Sequence, residues 1–357
     1  VALFRILGMF APVRIALLGV LPLVLFPSSL TWYAQIHKDG FAVLGVLLVA
    51  LGWTRVARAA RDPAASLGRG LLTIVVGAGA VWLPRPYLVD VLFGLGIGLA
   101  ALVTGTVVVG AAGGRRAAGI AGRAVVRTWA AALVTWPLVA LPGGHSYMDG
   151  HGYMDGLPQE RPAAEAPGPL WQGEREWTRS RWLPPVVDRG LESLVRARSG
   201  FARARAGSLV DADVKLTSAR EVVAYLPRAL QVALFAPFPS QWTGGVTPGA
   251  SVMRRVAGAE VLLLYLAVAI LPWGLWRGRD RPELHVLVVY CLGMMLVYAL
   301  AVPNVGALYR FRYPFETLLI GLAVALALVR SAPRGSPPTR EATGTRRGAG
   351  PGRPGAP

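Results

Sequence analysis

The chain has 357 residues, of which 54% are hydrophobic and 16% charged, and it carries a formal net charge of +18. Length alone would suggest two or three soluble domains, but several apolar runs approach the roughly 20 residues a helix needs to cross a bilayer. The positive charge is almost wholly arginine, with lysine only at Lys38 and Lys215; it flanks apolar runs, where it orients spans and gives no reason to invoke nucleic acid.

Taken in order, the first span is expected over about residues 11–30, with Arg5 and Arg14 on its N-terminal side. Arg14 inside that run, and the spans that follow it, argue against a cleaved signal peptide. A short turn with His37, Lys38 and Asp39 leads to a second span near 40–54, then to Arg55, Arg58, Arg61 and Arg69. Arginines clustered in a short loop mark the cytoplasmic side. A third apolar segment near 70–83 is short for a crossing. Pro84 and Pro86 make the next turn, before a fourth span near 88–110 that is rich in small residues. Arg115, Arg116, Arg123 and Arg127 mark another cytoplasmic loop, and a fifth span ends near Leu141. A polar insertion fills 142–258. Three more spans are expected near 259–276, 283–302 and 314–330, with Arg277, Arg279 and Arg281 between the first two.

The expected fold is therefore all-α, a polytopic transmembrane helix bundle of about eight spans with one large extracytoplasmic insertion. Residues 1–141 form an N-terminal bundle of five spans, 142–258 the insertion, and 259–331 a C-terminal bundle of three. Residues 332–357, rich in Gly, Pro and Arg, read as a disordered basic cytoplasmic tail. The arginine pattern places both termini in the cytoplasm of a multi-pass protein in a bacterial inner (cytoplasmic) membrane. Arg, Ala, Gly and Pro with little Lys fit a GC-rich bacterial genome. The lone Cys291 allows no intrachain disulfide.

Within the insertion, tandem hexads at 145–150 and 151–156 supply His145, Asp149, His151 and Asp155, which are metal-ligand types. A duplicated, Gly-rich loop lacks the rigid element that fixes ligand geometry, so no metal and no cofactor is assigned. Residues 186–206 form an amphipathic pattern: Val187, Leu191, Leu194, Val195 and Phe201 share one face. Arg189, Arg196, Arg198, Arg203 and Arg205 supply positive charge for a headgroup layer, or simply for a solvated face.

Ser208–Trp242 is the densest mix of acids, arginines, aromatics and prolines in the chain. Asp211 and Asp213 would point to one side of an extended segment. Ser218 followed by Glu221 is a capping box. Pro227 should kink or restart the helix that follows, giving an interfacial or re-entrant element that carries Arg228, with Phe238 and Trp242 as interface anchors. Asp211, Asp213 and Glu221 are candidates for a general base or for holding a cation, with structural capping or charge pairing as the alternative. Arg228, Arg310 and Arg312 suit phosphate recognition; snorkelling to headgroups is the alternative for each. The 304–313 stretch reads as a second outer loop, with Pro314 in the first turn of the last span and Glu316 within reach of Arg310 or Arg312.

The segment 304–326, with Arg310, Arg312, Pro314 and Glu316 in an Arg-x-Arg-x-Pro-x-Glu pattern, resembles the C-terminal end of polytopic bacterial proteins that handle cell-surface polysaccharides. Residues 225–242 resemble other membrane proteins from polysaccharide gene clusters. The two segments cover about a tenth of the chain. The resemblance, to glycosyltransferases and O-antigen polymerases, implies membrane lipid and a polyprenyl-phosphate-linked glycan as partners at the outer face. Other envelope assembly proteins are implied partners too. The chain departs from lipid-sugar-dependent transferases in its first outer loop, which is short and holds Asp39 alone. A lipid-linked glycan transporter or flippase, or a non-catalytic partner in an envelope complex, are the competing expectations.

Overall fold

The computed structural model describes residues 1–33, 39–62, 65–110, 115–140, 176–203, 208–243 and 248–329. Among these residues the regular structure is helical, and strand pairing is limited to two isolated bridges. The 145–156 hexads and the 332–357 tail lie outside the described residues.

The first expected crossing is two helices. α1 (Ala2–Leu7) precedes α2 (Val13–Leu25), and Phe26 turns extended before α3 (Pro27–Tyr33). The break has a local cause, since a residue before proline is driven out of the helical region. α4 (Asp39–Arg61) is longer than expected. Arg55, Arg58 and Arg61 sit on its last turns, among alanines that favour helix, and not in a loop. α5 (Leu67–Trp82) opens on Ser66, whose hydroxyl accepts from the Arg69 N–H. α6 (Tyr87–Gly110) follows the Pro84–Pro86 turn. In α7 (Arg115–Leu133) the arginines expected in a loop are again helical, and the segment expected as a fifth span ends at Leu133 and a short α8 (Trp136–Val139) without forming a helix apolar enough to cross. The insertion contributes α9 (Pro185–Arg203) and α10 (Ala219–Phe235); α11 (Pro248–Arg277), α12 (Pro282–Ala301) and α13 (Val305–Leu328) complete the chain.

Among the described residues five helices are long and apolar enough to cross a membrane: α4, α6, α11, α12 and α13. α2 and α5 are apolar but only 13 and 16 residues long, about 20 and 24 Å at 1.5 Å per residue. The chain is a multi-pass integral membrane protein.

Contacts sort the helix ends into two groups. Arg61 Nη1 donates to the Asp280 carbonyl, and Arg127 Nη1 to the Ala59 carbonyl, so the arginine-rich turns meet at one end of the bundle. At the other end Asp39 of α4 meets Arg85 of the α5–α6 turn and Arg310 of α13. α9 and α10 pack here, and we call it the insertion end.

α13 is the central helix. Every residue from Phe311 to Ala323 is buried, as expected of a helix surrounded by others. Tyr313 donates to the Pro22 carbonyl of α2, and Tyr290 of α12 to the Val46 carbonyl of α4, both at 2.9 Å. Small residues let backbones approach. A Cβ built on Gly45 would lie 2.7 Å from the Gly77 carbonyl oxygen, and one on Gly52 2.9 Å from that of Gly70. These glycines are seven apart on each helix, so two matched pairs seat α4 on α5 over two turns.

Two expectations about α13 are corrected. Residues 305–313 are not a loop but its first turns, because Asn304 caps the helix by accepting from Gly306 N at 3.0 Å and Ala307 N at 3.4 Å. Pro314 consequently lies inside the helix, not in its first turn.

Candidate functional site

The insertion is tied to the bundle at the α12–α13 turn. Val210 N donates to the Pro303 carbonyl at 2.8 Å, Val305 N to the Ser208 carbonyl at 2.9 Å, and the Ser208 hydroxyl to Asn304 Oδ1 at 3.0 Å. These bonds hold 208–210 beside the start of α13. Asp211 then turns with a φ of 52°, in the left-handed region where Asp is one of the few tolerated residues. Asp211 and Asp213 are therefore not on one side of an extended strand. Asp213 is exposed, while Asp211 folds back toward α10.

α10 carries the second half of the network. Half of the expected capping box forms: the Ser218 hydroxyl accepts from Glu221 N at 3.4 Å, but Glu221 Oε2 accepts one residue earlier, from Thr217 N at 2.5 Å and its hydroxyl at 2.9 Å. Glu221 is thus engaged at the helix start. Pro227 does not break α10, which runs unbroken to Phe235. Ala219, Val222, Tyr225, Ala229, Val232 and Ala233 form its buried stripe at helical spacing.

One turn after Tyr225, Arg228 meets Asp211 with two parallel bonds, Nε to Oδ2 at 2.8 Å and Nη2 to Oδ1 at 3.0 Å. Tyr225 donates to Asp211 Oδ2 at 2.9 Å. Burial alone would raise the Asp211 carboxyl, but these donors hold it below the usual aspartate range. Burial, and the Asp211 carboxylate, push the Tyr225 hydroxyl up, so it remains a donor. The Arg228 side chain is 41% exposed and lies over Phe238, 5.2 Å from the ring centre. A fork–fork pair of this kind fixes the guanidinium plane, and Nη1 donates in turn to Gln231 Oε1 at 2.7 Å.

Arg198 of α9 departs from the expected solvated face. It is buried and reaches the Ala299 and Leu300 carbonyls at 3.4 and 3.3 Å, the Asp211 carbonyl at 2.7 Å and the Tyr225 hydroxyl at 3.3 Å. The last carbonyls of α12 lack helical donors, and a cation from another helix supplies one where the dipole is negative. Arg198 thereby joins α9, α10 and α12.

On the far side of the α12 terminus, Asp39 pairs with Arg85 and, at 3.2 Å, with Arg310. The Arg85 guanidinium lies 4.2 Å from the centre of the Phe311 ring, which packs against Tyr298 at 5.6 Å and Phe201 at 6.2 Å. A cavity of about 10 Å³ lies between these groups, lined by Asp39, Arg85, Tyr298, Arg310 and Phe311; that is room for about one water.

Arg312 is elsewhere. It is fully buried, with Nε 3.2 Å from Glu316 Oε2 and Nη1 donating to the Val232 and Ala233 carbonyls at 3.4 and 2.8 Å. Glu260 of α11 is 5% exposed, accepts from Ser28 N at 3.0 Å, and accepts from the Tyr309 hydroxyl. Trp242, expected as an interface anchor, packs on α11 where a Cβ at Gly258 would meet its ring at 2.7 Å.

Arg228, Arg310 and Arg312 therefore do not converge: each faces its own carboxylate, Asp211, Asp39 or Glu316. Two separate networks flank the end of α12: Arg198 and Arg228 around Asp211, and Arg85 and Arg310 around Asp39. These six named groups carry a surplus of two positive charges. Sequence spacing does not single out Arg85 or Glu260, and the 186–206 pattern does not show that Arg198 is buried. The only local signal for Glu260 was an acid at the head of an apolar run.

No family profile, no curated protein and no solved structure matches the chain. Fold and site together define a class: an all-helical, multi-pass membrane protein with a folded insertion docked over a basic end.

Proposed function

We propose that the chain acts on a polyprenyl-linked glycan in bacterial cell-surface polysaccharide assembly, binding its phosphate at the insertion end. The observation that carries this is the surplus of guanidinium groups gathered beside an apolar bundle. Lipid-linked phosphates combine an anion with an acyl-like chain, so a basic rim at the end of membrane-spanning helices suits them. In this reading the insertion end faces outward and both termini face the cytoplasm of the inner membrane. Arg228, oriented by Asp211, and Arg310 receive phosphate oxygens. If sugar is transferred, the acid that accepts the acceptor hydroxyl's proton is Asp213, because Asp211 already accepts three bonds and Glu221 caps α10. Arg312 supports the site from within and does not touch the ligand.

The test is surface glycan in cells carrying Arg228→Ala, Arg310→Ala or Asp213→Ala at native protein levels. Loss or shortening of the glycan is expected for the two arginine variants, and for Asp213→Ala if the step is transfer. Normal amount and length in all three contradicts the reading.

A second reading, transport of the lipid-linked glycan, is favoured by one observation: Glu260, Arg312 and Glu316 are charged groups buried within membrane-length helices. Under that reading Asp213→Ala leaves glycan length unchanged while Arg312 variants reduce its export.

A further inference from the structure

The Glu260–Tyr309–Arg312–Glu316 centre lies deep in the bundle. Glu316 is eleven residues into α13, about 16 Å along its axis at 1.5 Å per residue. Arg312 and Glu316 side chains are fully buried and Glu260 is 5% exposed. The charges that act on Glu316 are those of Arg312 and Glu260. The remaining groups facing the centre are neutral donors and acceptors. Ser28 N and the Tyr309 hydroxyl donate to Glu260, and the Val232 and Ala233 carbonyls accept from Arg312. Tyr265, on α11 as well, donates to the Phe235 carbonyl.

Glu316 pairs with Arg312, and Glu260 is a second buried carboxyl whose charge acts on Glu316, so one negative charge is in excess if both ionise. An unbalanced charge in an apolar interior is costly, and such groups neutralise by taking up a proton. The bonding pattern points the same way. Glu316 Oε1 and Arg312 Nη2 are buried and have no hydrogen-bond partner among the described residues, so within those residues the centre is not a fully satisfied structural ion pair. Buried ionisable groups within spans pair with one another and mark ion or proton paths.

We propose that this centre is an intramembrane proton-binding site, in which Glu260 and Glu316 share a single exchangeable proton beside the Arg312 cation. The step is a simple ionisation: the carboxyl O–H breaks, the proton leaves to water or a neighbouring acceptor, and the electron pair stays on the carboxylate. Releasing it places a net negative charge between α11 and α13, next to the α10 carbonyls that hold Arg312. Proton occupancy is thereby tied to how α10 seats on α13. The proposal rests on α11 and α13 as membrane spans, not on the glycan assignment.

Infrared difference spectroscopy of the full chain in lipid nanodiscs, taken across a pH step, tests it. The C=O stretch of a protonated carboxyl is separate from the carboxylate bands. The native chain is expected to show one such band at neutral pH that disappears at high pH. Glu316→Gln and Glu260→Gln should each abolish it, since either leaves one carboxylate to one guanidinium. Arg312→Gln should double it, because both acids must then be neutral. A native chain with no protonated-carboxyl band overturns the proposal without recourse to any variant. So does a band that persists in both glutamine variants. Normal surface glycan in Glu316→Gln cells with the band abolished would leave the proton site standing and bear only on transport.

Discussion

Arg312 shows how single residues hold this interior together. Arg312→Ala leaves Glu316 without its cation and removes the guanidinium bonds to the Val232 and Ala233 carbonyls, and breaking a buried pair this way costs about 3–5 kcal/mol. Thermal unfolding of the purified protein in detergent should show that loss, and the double replacement Arg312→Met with Glu316→Leu should recover much of it. Asp211 gives a pH dependence of definite sign. Its carboxyl is held below the ordinary aspartate value, so its pairing contributes fully above about pH 3.9 and is lost as pH falls through the lower folded value. Amide protection factors over residues 208–214, taken against the intrinsic exchange rate at each pH, should be high at about pH 5 and should fall as pH drops below about 3.9; in Asp211→Asn they should be low throughout. The Arg312–Glu316 pair was legible as a charge pair four residues apart. Glu260 was not, because its partner Tyr309 is 49 residues away and no spacing rule spans two helices.

At the level of elements, α10 is set by its cap and by its stripe of small and apolar residues. Ser218→Ala removes the acceptor for Glu221 N and should cost about 1 kcal/mol, read as a lowered unfolding temperature with the bundle still helical by circular dichroism. The α4–α5 pair depends on close backbone approach. Gly77→Leu inserts a side chain where a Cβ alone would lie 2.8 Å from the Gly45 carbonyl oxygen. It should therefore separate the helices and lower stability, whereas Gly79→Ala, with open space around its Cβ, should be tolerated. The Ser218 cap and the amphipathic helix near 186–206 were readable because both are local patterns. The start of α13 was not, since Pro314 suggested a first turn while Asn304, ten residues earlier, supplies the actual cap. Pro227 misled for the opposite reason: the buried stripe on both sides of it outweighs one lost backbone bond.

For the whole molecule, apolar run length and arginine placement made an all-helical membrane bundle legible. They did not give helix ends, because alanine-rich arginine stretches continue α4 and start α7. Nor did they reveal that the insertion docks on the α12–α13 turn, which rests on backbone bonds and on Arg198, bonds that leave no periodic trace. Orientation is testable directly. Cys291 is buried and should stay silent to a membrane-impermeant maleimide. In intact cells Asp213→Cys should then label from outside and Arg279→Cys only after permeabilisation.

The central claim is that the guanidinium groups around the end of α12 form a phosphate-binding rim for a lipid-linked substrate. Its most direct test is binding of a polyprenyl diphosphate to the purified chain, with the phosphate-free polyprenol as control. The diphosphate should bind and the polyprenol should not, and Arg228→Ala should weaken binding about tenfold, a loss of about 1.4 kcal/mol. Equal binding of both lipids, or binding untouched by Arg228→Ala and Arg310→Ala together, would contradict it.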